Sequence, residues 1–252
     1  ADVPLIVDNT LASPYLCRPF DHGADLIVHS MTKFLGGHGN SVGGILVEGG
    51  RFDWAKVAGK YPTICEPTAS YHGLRFYETF GTMAFAVAAR AISLRDLGPA
   101  LSPMNAFLIL TGIETLSLRM DRHCANALTV ARHLLSHDKV AWVNYAGLPD
   151  DRYHQLAARY LPRGAGAVFT FGVKGGFDAG VKLVEGVELF SHLANIGDTR
   201  SLIIHPASTT HRQLPPERRE AAGAGPDVVR LSVGLESAPD LIADLDQALA
   251  GT

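Results

Sequence analysis

Two short apolar runs near the start, Leu5-Ile6-Val7 and Leu26-Ile27-Val28-His29, place the tightest limits on how this chain folds. Each is bounded by polar residues or glycine, and neither alternates apolar with polar side chains. Such runs fit strands buried on both faces of a largely parallel sheet, where crossover connections cover both sides. The second run leads into Ser-Met-Thr-Lys-Phe-Leu-Gly-Gly-His-Gly, residues 30–39, and Val42–Val47 reads as a third strand after that glycine-rich turn. The first run begins almost at once. An opening strand needs neighbours from elsewhere in the sheet, so residue 1 is expected to be an internal point of a longer polypeptide.

Further along, residues 51–73 mix Gly, Pro, Thr and aromatics without a period and are expected to be mostly loop. Residues 75–97 read as a helix, with Ala84, Val87, Ala88 and Ala91 on one side. Helices are expected over 103–116, where Pro103 suits the first helical position, and over 118–137. From Val140 the pattern becomes strands alternating with helices: strands at 140–145, 167–173, 201–204 and 228–233, an amphipathic helix at 177–189 and a closing helix at 239–250. Pro215-Pro216-Glu217-Arg218-Arg219 is expected to be an exposed turn leading into a short helix. The helix near 118–137 reads as a bridge between two domains, with the boundary at about 120–138. The class is α/β.

Composition excludes several functions. With 22 Lys and Arg against 25 Asp and Glu, the net charge is −3, and no basic block offers a nucleic-acid footprint. No apolar run has the length of a membrane span. Cys17, Cys65 and Cys124 are odd in number and far apart, which fits reduced thiols in a cytoplasmic protein. Among eleven histidines no pair is read at ligand spacing with a carboxylate partner, so no metal is expected.

The chemistry gathers around Lys33. A lone lysine on a loop is ordinarily a surface group. This one follows a buried strand, with the hydroxyls of Ser30 and Thr32 beside it and glycine backbone able to close on a phosphate. A reactive amine beside a phosphate cup is what pyridoxal 5'-phosphate requires. Asp8 ends the first strand, where an acid points into the ligand crevice of an open α/β sheet. There it can pair with a pyridine nitrogen and keep it protonated, although Asp8-Asn9-Thr10 would also make an ordinary Asx turn.

Val-Asp-Asn-Thr together with Ser-Met-Thr-Lys-Phe-Leu-Gly-Gly-His-Gly resembles the Cys/Met-metabolism family of fold-type I pyridoxal-phosphate enzymes, along essentially the whole chain. The resemblance implies an aspartate-aminotransferase-like fold, with residues 1–125 forming part of the cofactor-binding large domain and 126–252 a small C-terminal domain. It implies Lys33 as the Schiff-base lysine, Asp8 as the pyridinium partner, and Ser30 and Thr32 as phosphate ligands. Arg230, in Val-Arg-Leu-Ser-Val-Gly-Leu-Glu, matches the arginine that clamps the substrate α-carboxylate. Asn195 stands where the lyases carry a serine near that carboxylate, and Thr210 matches a position close to cofactor and substrate.

Residues 67–80, 142–149 and 190–211 resemble the O-acetylhomoserine-sulfhydrylase branch. The implied reaction is γ-replacement on O-acetyl-L-homoserine by sulfide or methanethiol, giving homocysteine or methionine. The alternatives are a methionine or cystathionine γ-lyase, a cystathionine γ-synthase, or a non-catalytic assembly chain. The resemblance further implies a homotetramer built from catalytic dimers. It also implies a preceding segment that supplies a ring-stacking tyrosine and further phosphate contacts.

Overall fold

A computed structural model describes residues 2–252. Strand β1 (Ile6–Asp8) is followed by a short helix, α1 (Ser13–Leu16), and by β2 (Leu26–Ser30) and β3 (Gly44–Glu48). The three form one sheet in the order β1-β2-β3, with β1–β2 parallel and β2–β3 antiparallel. The largely parallel arrangement expected for these strands is therefore not what forms. Residues 31–43 are taken up by the turn around Lys33, which leaves no crossover helix to bring β3 back in parallel. Burial on both faces holds for β2 alone: Leu26 and Ile27 are buried, whereas Ile6 is 55% and Leu46 52% exposed.

Residues 51–97 differ from the expected loop and single helix. A 3-10 turn (Ala55–Lys60) precedes α2 (Pro62–Cys65), α3 (Phe76–Phe80), α4 (Ala84–Ala88), a π-helical turn (Ala89–Leu94) and α5 (Arg95–Leu97). Gly81, at φ +54°, breaks the helical run between α3 and α4. Aromatic packing holds the region together. Trp54 stacks on Phe85 at 6.0 Å and meets Tyr61 edge-on at 5.3 Å. Ile64, Phe76, Ala84 and Ala88 complete this small core against Leu26.

Helix α6 (Pro103–Glu114) starts as expected, with Pro103 at its first turn and Ser102 as the cap. Helix α7 (Leu116–Leu135) carries a buried stripe that includes Leu116, Met120, Ala127, Val130, Ala131 and Leu134. The C-terminal part then runs β4 (Val140–Asn144), α8 (His154–Tyr160), β5 (Val168–Val173), α9 (Gly176–Gly186), β6 (Ser191–His192), β7 (Leu202–Ile204), α10 (Pro216–Ala221), β8 (Val228–Ser232) and α11 (Ala238–Ala250). Its five strands lie in the order β4-β5-β8-β7-β6, antiparallel except for the β6–β7 pair. Phe171, Val229 and Leu231 from this sheet join Leu183, Leu241 and Leu245 from α9 and α11. The same buried cluster continues through α7 to Met31, Phe34 and Leu35. The Lys33 turn is thus rooted in the core of the C-terminal sheet.

One sequence expectation is corrected at the end of α7. His133 and His137 stand one helical turn apart, and their Nε2 atoms lie 2.6 and 3.7 Å from Asp246 Oδ1. A histidine pair with a carboxylate does exist. Lys139 N donates to His137 Nδ1 at 3.1 Å, so in the neutral ring the proton sits on Nε2, facing Asp246. His133 and Asp246 form a hydrogen-bonded tie between α7 and α11, with His137, just past α7, close to the same oxygen.

Asp244 shows how α11 is fixed. Its carboxylate is buried and accepts hydrogen bonds from the backbone N–H groups of Glu188, Leu189 and Phe190 at 2.7, 2.9 and 3.0 Å. Burial by itself would raise its pKa, but the donors from Glu188, Phe190 and Leu189 outweigh that and hold it below the usual 3.8. A depressed carboxylate stabilises the fold above its unfolded pKa and loses that contribution as pH falls through the folded value. Asp244→Asn is therefore expected to cost about 1–3 kcal/mol at neutral pH. Denaturant unfolding of both proteins should show the gap closing on acidification below 3.8. A gap that is constant with pH would rule out the charge as the cause.

Candidate functional site

The turn carrying Lys33 is shaped by its backbone before any side chain acts. Lys33 N donates to Ser30 O at 3.3 Å, Gly36 N to Met31 O at 2.9 Å and Gly37 N to Lys33 O at 2.7 Å. Thr32 N donates to Gly43 O at 3.3 Å, which ties the turn to the start of β3. A loop from the C-terminal half closes on it, with Thr199 N donating to Gly37 O at 2.8 Å. Gly197 makes this approach possible. Its φ is +73°, and a Cβ there would sit 2.7 Å from Phe34 N.

That loop delivers Asn195 to Lys33. Lys33 Nζ donates a hydrogen bond to Asn195 Oδ1, and both side chains are partly buried. Arg230 Nη2 donates to the Asn195 carbonyl at 3.3 Å. Arg230 reaches this place through strand alternation. Val229 and Leu231 point into the helix-covered core, so Arg230 between them points to the opposite face. Three of the expected residues, Lys33, Asn195 and Arg230, therefore meet.

Asp8, Ser30 and Thr32 form a second group at the ends of β1 and β2. Asp8 pairs with Val28 in register, and Ser30 lies two residues beyond Val28, so Asp8 and Ser30 share one face of the sheet. Asp8 Oδ1 accepts from Thr10 Oγ1 at 2.5 Å and from Thr10 N at 3.0 Å. The Thr10 hydroxyl is the main reason that the Asp8 carboxyl is held below the usual carboxylate range, and the Thr10 N–H adds to it. The same hydroxyl accepts from Ser30 N at 2.8 Å. The Asx turn and the acid at the strand end are thus one structure. Thr32 Oγ1 is engaged with Gly43, accepting from its N–H at 3.1 Å.

Thr210 stands apart from both groups. It is exposed in a turn, with its hydroxyl 2.9 Å from His211 Nδ1. His205 is structural, lying 2.9 Å from both Ser208 Oγ and the Pro226 carbonyl.

The sequence profile described as "Cys/Met metabolism PLP-dependent enzyme" matches residues 1–250. The chain belongs to that family. Family relatives include an O-acetyl-L-homoserine sulfhydrylase of Leptospira meyeri, 54% identical over 98% of this chain and 58% of that protein. A homocysteine synthase of Schizosaccharomyces pombe is 50% identical over 99% of this chain and 58% of its own length. The crystal structure of a Campylobacter jejuni protein assigned as an O-acetylhomoserine (thiol)-lyase, containing a pyridoxyl-lysine phosphate, superposes with a TM-score of 0.92 at 42% identity. It is matched over 99% of this chain and 59% of that one. The chain shares the fold of a solved family member and spans about three-fifths of the length of the relatives it matches.

Sequence reasoning passed over two residues that support the family motif here, Arg119 and His123, and read Thr10 only as part of an Asx turn. A threonine two residues after an acid is an Asx-turn signal. Arg119 and His123 were legible as charged or polar positions on the apolar stripe of α7. His123 is fully buried and edge-on to Phe34, with ring centroids 5.2 Å apart. Its Nδ1 lies 2.7 Å from the Val233 carbonyl and acts as donor, while Nε2 has no partner among the described residues.

Burial lowers the His123 pKa from 6.5 to about 4. The unfolded chain then takes up the proton first as pH falls, so stability is full above 6.5 and is lost between 6.5 and about 4. The loss attributable to this ring is at most about 3 kcal/mol. Unfolding free energies measured across that range should slope less in His123→Leu than in the wild type, where His29 and His205 also contribute. Equal slopes would show that the ring does not titrate on unfolding.

Proposed function

We propose that this chain carries the amine, ring-nitrogen partner and carboxylate clamp of a pyridoxal-phosphate enzyme that performs γ-replacement on O-acetyl-L-homoserine. The observation behind this is the convergence of Lys33, Asn195 and Arg230, together with an ionised Asp8 at the end of β1, in a chain of this family. The donor set fits the cofactor. Lys33 supplies a primary amine for its aldehyde and Asp8 an anion for its ring nitrogen. Ser30 supplies a hydroxyl for its phosphate, with no protein partner among the described residues; Thr32 supplies a second, shared with Gly43. When bound, the cofactor supplies an electron sink that acidifies the Cα and Cβ protons of an amino acid.

The protein's own groups then divide the work. Arg230 is already drawn out of water beside Asn195, and its planar fork suits a substrate carboxylate bound through two oxygens. Asn195 Oδ1 orients Lys33 Nζ, which takes the proton from Cα and returns it along the substrate. Asp8 keeps its charge because Thr10 donates to it, so it would hold a proton on the ring nitrogen of a bound cofactor. Thr210, exposed in its turn with its hydroxyl beside His211, is proposed as a further residue close to cofactor and substrate.

Similarity to a sulfhydrylase and a homocysteine synthase, both at or above 50% identity, supports sulfide or methanethiol as the nucleophile, with homocysteine or methionine as product. It favours this over a γ-lyase or a cystathionine γ-synthase. Residues 1–125 are proposed as part of the cofactor domain and 126–252 as the small domain. A cytoplasmic homotetramer of catalytic dimers is the proposed form. The exposed Met104, Phe107 and Leu110 on α6 support assembly, and among the described residues no helix is long and apolar enough to cross a membrane.

Borohydride reduction of the cofactor-loaded protein, followed by peptide mapping, should place a pyridoxyl group on Lys33, and Lys33→Ala should abolish it. Arg230→Ala should lower kcat/KM for O-acetylhomoserine by roughly tenfold to a hundredfold, the loss of a charge-assisted pair. Formation of 2-oxobutanoate and ammonia in place of a thiol or thioether would replace the proposed reaction by a lyase. A cofactor adduct elsewhere would remove Lys33 from its role.

A further inference from the structure

Arg119 is 5% exposed, and its guanidinium lies under the turn that carries Lys33. Nη1 donates to the Phe34 carbonyl at 2.7 Å. Nη2 donates to the Leu35 carbonyl at 3.2 Å and to the Gly112 carbonyl at 2.7 Å, and Nε donates to Thr115 Oγ1 at 3.2 Å. Every partner is an uncharged oxygen, and no carboxylate pairs with Arg119 among the described residues. A buried charge without a counter-ion is costly and persists only where its hydrogen bonds are well made. Burial accordingly pulls its pKa down from the usual guanidinium value.

The two carbonyls it takes from the turn are those the turn leaves open. The Met31 and Lys33 carbonyls are used by Gly36 N and Gly37 N, while those of Phe34 and Leu35 have no backbone donor. Like the last carbonyls of a helix, they need a cap. The surroundings are cut to admit this one. A Cβ on Gly37, at φ +75°, would land on the guanidinium, and a Cβ on Gly112 would land on the Gly36 carbonyl. The side chain thus joins the immediate C-terminal neighbours of Lys33 to α6 and α7 at a single point.

We propose that Arg119 is a positioning residue for Lys33, its buried guanidinium capping the turn so that Nζ stands where it can react with the cofactor. This rests on the pyridoxal-phosphate reading above. In the covalent step Nζ bonds to the aldehyde carbon, the carbonyl oxygen leaves as water, and Arg119 takes no part in the proton transfers. Its effect is on geometry, to which such condensations are steeply sensitive.

The test compares wild type, Arg119→Gln, Arg119→Lys and the milder Thr115→Val, each as the complete protein loaded with pyridoxal phosphate. Two quantities are read: cofactor bound, by equilibrium dialysis, and the fraction of bound cofactor that borohydride fixes to Lys33 after a short incubation. Arg119→Gln is expected to slow covalent capture roughly tenfold to a hundredfold, beyond any loss of non-covalent binding. Amide exchange at residues 34–37 should rise in parallel. Arg119→Lys should restore part of the capture rate, and Thr115→Val should slow it severalfold with the fold intact. A merely structural residue would lower binding and capture together, and that outcome overturns the proposal. If Arg119→Gln fails to fold, Thr115→Val decides: wild-type capture and exchange in that variant reject the proposal. Absence of capture at Lys33 in the wild type would instead reject the cofactor reading itself.

Discussion

The close approach of two glycine-bearing segments, residues 33–39 and 195–200, is the contact on which the rest of the arrangement depends. Thr199 N reaches the Gly37 carbonyl, and Gly197 lies against Phe34 only because it carries no side chain. This contact converts two distant stretches of chain into one site. It presents Asn195 to Lys33 from one side while Phe34, the next residue, is sunk in the core with His123 on the other. The lysine is exposed enough to react because its neighbour is buried enough to anchor it. Disturbing the C-terminal sheet would therefore disturb the amine, although Lys33 belongs to the other sheet.

Electrostatics follow the same division. Asp8 stays ionised through local hydrogen bonds from Thr10, a device that works at a partly wet strand end. Arg230 is half-buried, with its recorded bond going to a neutral carbonyl, so it retains donors for an incoming anion. Asp198, by contrast, is neutralised beside the site by Arg200, with Nη2 to Oδ2 at 3.1 Å. Of the charges around Lys33, those closed within the protein serve to hold loops. Asp8 and Arg230 are left with capacity, and they are the two that the proposed chemistry requires.

Much of this was legible in the sequence, because the informative residues were locally determined. The Lys33 turn, the acid at the end of β1, the Pro103 start of α6 and the strand that places Arg230 each follow from a short run of residues. What escaped depended on distant packing. The helix over 75–97 is broken at Gly81, and its π-helical turn takes a hydrogen bond from the distant Tyr71 hydroxyl at the Ala91 carbonyl, neither of which periodicity registers. The antiparallel return of β3 depends on how the Lys33 turn uses its residues. Asp246 lies more than a hundred residues from His133, so their pairing could not be read from spacing. Arg119 was readable only as a charge on the wrong face of a helix, and a helix stripe does not name the carbonyls that charge will cap.

In the proposed assignment the two sheets contribute different groups. The groups assigned to the cofactor, Asp8, Ser30, Thr32 and Lys33, lie on or just after β1 and β2. Those assigned to substrate, Asn195 and Arg230, come from the five-stranded sheet and the loop beside it. Only the lysine amine and the Asn195 amide are joined directly. Because the 195–200 loop also closes on the Lys33 turn, substitutions there are expected to act on the amine as well as on the proposed substrate groups.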